Sequence, residues 1–389
     1  MLTDAASGQC RYEAVPIDSG LCVSGEPVTF NGRAINDAGE IAGLATCFAP
    51  FFAPAMWPGE GALVGLPVPG GFDDFAISDM TNTGMVVGSG DRSTTQTFSR
   101  PGLVWRDGEV IVIQPLLDGE TAPAGGVNDR GQVVGQMQSS ITGSFRAYLW
   151  EDGVTTNLNP ILGALKASAS DVNVHGQITG WTGESIHVAH AFILTGDEVT
   201  LLPLLPGALN GRGFFISRHG HVAGQGVFTI PDGTEVARGF FWDGRRMINL
   251  GTIEPNIRTS VNGLSDLGQI IGGTSGTEFV PYIWQHGRMH KMYELIPPEL
   301  VPQVPRFQAI NNRGEIAISN VTPAVFLRPI NPPVGDINKD CVVNVSDLLI
   351  LLAEWGTDIA YADVDGSGAV DAFDLIQLLT HWGENNSVN

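Results

Sequence analysis

Ile35-Asn36-Asp37-Ala38-Gly39-Glu40-Ile41 decides the fold, because six further copies of it follow. Anchored on its glycine, the equivalents are Gly84, Gly131, Gly176, Gly220, Gly268 and Gly314, at spacings of 45, 47, 45, 44, 48 and 46. Four residues before each glycine stands an aliphatic residue or Met: Ile35, Met80, Val127, Val172, Ile216, Leu264, Ile310. Three before stands a small polar residue: Asn36, Thr81, Asn128, Asn173, Ser217, Ser265, Asn311. Two after comes Ile or Val in every copy, and four after comes Gly in all but the last, which has Ile318. This is tight-turn chemistry. The Asn or Ser side chain bonds the backbone two residues on, Gly takes the positive φ, and the β-branched residue opens the return strand.

Each copy continues to a short apolar strand ending at or near Trp57, Trp105, Trp150, Leu194, Trp242, Trp284 or Leu327. Most then turn at Gly, as in Asp107-Gly108, Asp152-Gly153 and Asp243-Gly244, and a last strand such as Glu109–Ile113 or Glu198–Leu202 closes the unit. Four short strands per copy, repeated in a ring, predict an all-β, seven-bladed β-propeller with four-stranded blades. An open or stacked solenoid is the alternative. The seventh copy runs into Asn331-Pro332-Pro333 without a fourth strand, while Arg11–Ile17 is a strand without a blade. We expect it beside Ala324–Leu327, closing the ring. The repeat resembles the bacterial extracellular HAF repeat family over residues 11–330, with the naming triplet at His190-Ala191-Phe192. That resemblance implies the architecture and no particular activity.

A second duplication follows the propeller. Asp336–Gly356 and Asp363–Gly383 are the same unit, offset by 27. The first carries Asp336, Asn338, Asp340, Asn344 and Asp347, the second Asp363, Asp365, Ser367, Asp371 and Asp374. These are positions 1, 3, 5, 9 and 12 of a calcium loop, with the backbone carbonyls of Val342 and Ala369 at position 7. A hard cation needs six to eight oxygens, and this spacing curls the chain until they converge. Leu348, Leu351, Leu352 and Trp355, and then Leu375, Leu378, Leu379 and Trp382, fall at helical spacing after each loop. The bland reading is an acidic turn whose carboxylates cap a helix.

The tandem loop-helix resembles a type I dockerin, which implies a small α-helical, EF-hand-like module, two Ca²⁺ ions and a cohesin-like or other surface protein as partner. Two positions depart from the family. Cys341 stands at position 6, where Gly turns most easily. Val345-Ser346 and Ala372-Phe373 replace the usual Ser-Thr type of pair at positions 10 and 11, so calcium binding carries over and binding to a conventional cohesin does not. The expected layout is a propeller over 1–330, a Pro-rich linker at 331–335, the calcium module at 336–383 and a loose polar tail at 384–389. Loop 2 should bind the tighter, having four acids against three and Gly368 at its turn.

Composition agrees. Fifty glycines and 16% charged residues suit short strands and turns, and a net charge of −21 argues against nucleic acid or an anionic membrane as partner. No run of apolar residues is long enough to span a membrane. Met1-Leu2-Thr3-Asp4 lacks the basic start and apolar segment of a secretory leader. The location implied by the modules is extracellular or at the cell surface, in a mature chain; a cytosolic protein is the plain alternative. Cys10, Cys22 and Cys47 cluster near the N-terminus, and one disulfide among them, Cys22–Cys47, is expected.

No catalytic motif appears. His175, His219 and His221 read as solvated turn residues, and His187 and His190, three apart in a strand-rich region, point to opposite faces unless a turn intervenes, which argues against a metal site. The first turns barely vary, whereas the run from turn glycine to third-strand residue is 18, 21, 19, 18, 22, 16 and 13. In a four-stranded blade the second loops lie on the face opposite the first and third turns, and variation there marks the binding face. Its candidate contacts are Phe51, Phe52, Phe98, Arg100, Trp181, His187, Phe228 and Phe279. The expected function is binding of a glycan or surface polymer, without catalysis. The rival is a polysaccharide-acting hydrolase or lyase tethered by the dockerin.

Overall fold

Seven antiparallel sheets form the propeller, one for each copy of the turn. The computed structural model describes residues 10–386 except 19, 21–28, 47–51, 95–96, 118–119, 140–141, 186, 255–256, 277, 331 and 360. Blade 1 runs Phe30–Ile35, Ile41–Ala45, Ala53–Trp57 and Val64–Gly65 from the axis outward. Blade 7 supplies Arg306–Ile310, Ile316–Ser319 and Val325–Pro329, and Tyr12–Pro16 completes it, pairing Tyr12 with Pro329 and Pro16 with Val325. The strand expected at Arg11–Ile17 therefore closes the ring.

One register recurs around the molecule. The β-branched residue after each turn faces the third-strand anchor: Ile41 with Trp57, Val86 with Trp105, Val133 with Trp150, Ile178 with Leu194, Val222 with Trp242, Ile270 with Trp284, Ile316 with Leu327. These pairs feed apolar clusters that each join two neighbouring blades. The cluster uniting Ile41 and Trp57 with Ala317 and Phe326 joins blade 1 to blade 7, which no open solenoid would do.

Every innermost strand is bulged at the same place, at Arg33, Ser78, Gly125, Ser170, Phe214, Asn262 and Gln308. A bulge re-aims its side chain, and all seven line the central bore. The recurrent Gly four residues after the turn glycine stands opposite the bulge. A Cβ at Gly88 or Gly180 would meet the carbonyl oxygen of Ala76 or Ser168.

The turn Asn joins blades as well as closing its own turn. Asn36 accepts the Glu40 N–H at 2.9 Å and donates to the Thr81 carbonyl of blade 2 at 3.1 Å. Asn128, Asn173 and Asn311 donate to Asn173, Ser217 and Asn36 in the same way, at 2.8–2.9 Å. The next residue forms a belt. The side chains of Asn82, Asp129, Asp266, Asn312 and Asp37 accept the backbone N–H groups of Asp37, Asn82, Arg218, Asp266 and Asn312. The belt breaks at blades 4 and 5, where Val174 and Arg218 offer no acceptor.

The C-terminal module holds two helices, Val345–Ala353 and Ala372–Thr380, around Ile337, Val343, Leu351, Ala362, Val370 and Leu378. Glu384–Asn386, expected as loose tail, instead runs beside loop 1: Val343 donates to Glu384 at 3.0 Å and Asn386 to Cys341 at 2.8 Å. A disulfide not expected from the sequence joins the two ends of the propeller to the calcium module. Cys10 is bonded to Cys341, across 331 residues. Blade closure explains it, since the closing strand carries Cys10 to the point where blade 7 leaves for the calcium module. Cys22 and Cys47 lie outside the described residues.

Candidate functional site

Each calcium loop is tied into a frame by its position-12 carboxylate. Asp347 accepts from Ile337 at 2.8 Å, Asn338 at 3.1 Å and Asn344 at 2.8 Å. Asp374 does the same for Asp365 and Asp371, at 3.0 and 2.7 Å. Asn344 and Asp371 are also helix N-caps within capping boxes, so the bland reading and the metal reading describe the same atoms.

The donor set suits calcium, being all oxygen. In loop 2, carboxylate oxygens of Asp363, Asp365 and Asp374 lie within 4.8 Å of one another. In loop 1, burial is the main cause that pushes Asp336 up to about 7 and Asp340 up to about 6, and it raises Asp347 as well. Charges crowded in this way are relieved by a divalent cation.

The module sits on the first-turn face of blades 5 to 7, and the variable residue before the turn glycine is among the groups that meet it. His219, expected to be solvated, lies 3.3 Å from Glu354 and 3.5 Å from the Tyr361 hydroxyl. Leu267 packs on the module's core. Arg313 bonds Glu315, which Arg328 also holds at 3.0 Å, beside a cleft shared with Lys339. His221 stacks edge-on to Phe241 at 5.5 Å, and burial lowers its pKa. A groove of about 640 Å³ remains between these turns and the helix Val345–Ala353, lined by His219, His221, Phe241, Trp284, Leu349 and Glu354.

The bore, about 360 Å³, holds the second notable group. Asp79 and Asp171 occupy equivalent positions in blades 2 and 4, and accept N–H groups from Val127 and Ile216 of the next blade at 2.9 and 2.8 Å. Burial, then the charge of Asp171, pushes Asp79 up to about 8; burial pushes Asp171 up to about 6. Both keep partial contact with the bore's solvent, while the blades crowd out the rest. Neither residue stood out in the sequence, although an acid just after the bulge in only two of seven copies was there to be seen.

The expected ligand contacts divide. Phe52 is 45% exposed and His187 is exposed. Arg100 pairs with Asp91 at 3.3 Å. Trp181 is only 5% exposed and packs on Phe145 at 5.7 Å. Phe228 joins the cluster between blades 4 and 5, and Phe279 lies under Arg306 at 4.3 Å. These three stand in strands rather than in the loops expected, because the strands run farther than the spacing implied: Ile178–Ser185, Val222–Thr229 and Phe279–Gln285 contain them, with Phe228 and Phe279 half-buried. Phe98 lies in the strand Thr97–Ser99, and Phe51 is outside the described residues.

Residues 334–381 match the family model of the dockerin type I domain. No curated protein matches the chain. Among solved structures, a prolyl endopeptidase superposes with a TM-score of 0.50 at 11% identity, over 68% of this chain and 42% of its own, so the chain spans less than half of it. The acylaminoacyl peptidase of Pyrococcus horikoshii matches with a TM-score of 0.47 at 14% identity, over 72% of this chain and 48% of its own. The Aleuria aurantia lectin with Fucα1-6GlcNAc matches with a TM-score of 0.33 at 11% identity, over 59% and 80%. At these identities the first speaks for the propeller fold alone and the others carry no argument. The fold and the match together define a seven-bladed propeller joined to a type I dockerin, a calcium-binding module of extracellular protein assembly. Among the described residues no helix is long and apolar enough to cross a membrane.

Proposed function

We propose that this is an extracellular binding protein in which a propeller of HAF-type repeats recognises a glycan or surface polymer. Its dockerin binds two Ca²⁺ and attaches the chain to a cohesin-like or other surface protein. One observation carries the reading: the dockerin rests on the first-turn face at blades 5 to 7, so the variable second-loop face stays open. Phe52, Phe98, Arg100 and His187 are its candidate contacts. Shallow sites of this kind bind at roughly 4–8 kcal/mol, and several blades add avidity. A polysaccharide array probed with the full chain in calcium should show binding that falls on alanine substitution of Phe52 and His187 together. Binding that survives the double substitution moves the site elsewhere.

A second reading is favoured by Asp79 and Asp171, two carboxyls with raised pKa values in one bore. Such groups suit general acid–base chemistry on a polysaccharide. Turnover of any glycan that disappears in Asp79→Asn would establish the hydrolase or lyase in place of the binding protein.

A further inference from the structure

The two calcium loops are copies in sequence and opposites in setting. In loop 2, Asp365, Ser367, Gly368 and Ala369 face solvent, and the left-handed residues are Gly366 and Gly368. In loop 1, Asp336, Asn338 and Asp340 are 1%, 1% and 4% exposed; the position-12 carboxylates Asp347 and Asp374 are buried alike. Its left-handed residues are Lys339 and Cys341, with φ of 58° and 66°. A non-glycine residue keeps that conformation only where its surroundings impose it.

Here the propeller imposes it. Cys10 holds Cys341 covalently, and Lys339 lies against the turn at Gly314. Gln269 donates to the Asn338 carbonyl at 3.1 Å. The His286 ring stands 3.3 Å from the Asn338 side chain and 3.4 Å from Asp340. Propeller groups therefore touch positions 3 to 6 of the loop. Gln269 is itself buried, with Gln285 at 2.8 Å behind it, so the contact is built rather than casual.

We propose that the first calcium site is a composite of both modules: Cys10, Gln269 and His286 are positioning residues that hold loop 1 in its ion-binding shape, whereas loop 2 binds calcium by itself. The proposal rests on the calcium reading above. By linkage, docking tightens the ion in loop 1 and the ion tightens docking by the same factor.

Calorimetric calcium titration of the full chain tests it. Asp374→Ala isolates site 1 and Asp347→Ala isolates site 2. Adding Cys10→Ala should weaken site 1 at least tenfold and change site 2 less than twofold. Cys341→Gly removes the same bond but gives loop 1 the glycine of loop 2, and should recover part of the loss. If Cys10→Ala fails to fold, Gln269→Ala with His286→Ala asks the same question with the disulfide intact. Site 1 unchanged in both variants overturns the proposal, and so does an equal fall at both sites. Absence of calcium uptake by the unsubstituted chain is a different result, and overturns the calcium reading itself.

Discussion

At the scale of single residues, Asn311 makes four side-chain hydrogen bonds, as Asn128 and Asn173 do. Buried in the turn of blade 7, it accepts from Arg313 and Glu315 and donates to Glu315 and to Asn36 of blade 1. Asn311→Ala strands several of these partners, at a cost of about 2 kcal/mol, and urea unfolding in saturating calcium should show it. Asp79 predicts a pH dependence. Its pKa of about 8 and that of Asp171 near 6 exceed the ordinary 3.8, so the folded chain keeps protons that the unfolded chain releases. Their stabilising contribution is whole below the ordinary value and is lost as pH rises through 6 and then 8. The melting temperature of Asp79→Asn should therefore gain on the unsubstituted chain between pH 5 and about 8.5; a constant gap refutes the assignment. The turn Asn was legible in sequence because its chemistry is local. The role of His219 was not, because only docking gives that turn a neighbour.

At the scale of elements, the closing strand matters most. Tyr12–Pro16 covers the edge of Val325–Pro329, and without it blade 7 presents unpaired backbone groups. Deleting residues 1–18 should lower the melting temperature and promote aggregation, seen by light scattering. An unchanged melting temperature would mean that closure contributes nothing. The strand was readable because counting four per copy left one over and one missing. The seven bulges were not readable, since a bulge exists only in the register between two strands. The same limit misplaced Trp181 and Phe228, whose strands extend past the point where the loop was expected to begin. In Trp57, by contrast, the interblade role follows from size and recurrence; Trp57→Ala should cost about 3–5 kcal/mol, measured in the same urea series.

At the scale of the whole molecule, two modules legible separately prove to share an interface that was not. Its residues are scattered through blades 5 to 7, and only three of them, His219, Leu267 and Arg313, share a mark in the sequence, the variable position before the turn glycine. Leu267→Asp puts a charge against the dockerin's core. Combined with Cys10→Ala it should free the module to swing on its Pro-rich linker and raise the radius of gyration in small-angle scattering. An unchanged radius would show that other contacts suffice to hold the module down.

The bond between Cys10 and Cys341 also decides how this protein bears load. A partner pulling on the dockerin, with the propeller held by a surface, would otherwise draw on the linker and a few non-covalent contacts and, once these gave way, peel Val325–Pro329 from blade 7 one hydrogen bond at a time. With the bond in place, the pull enters the two antiparallel strands of the seam together, and the propeller is strained as a hoop rather than unzipped as a ribbon. Mechanical resistance, and not only equilibrium stability, is thereby placed in the joint between the two modules.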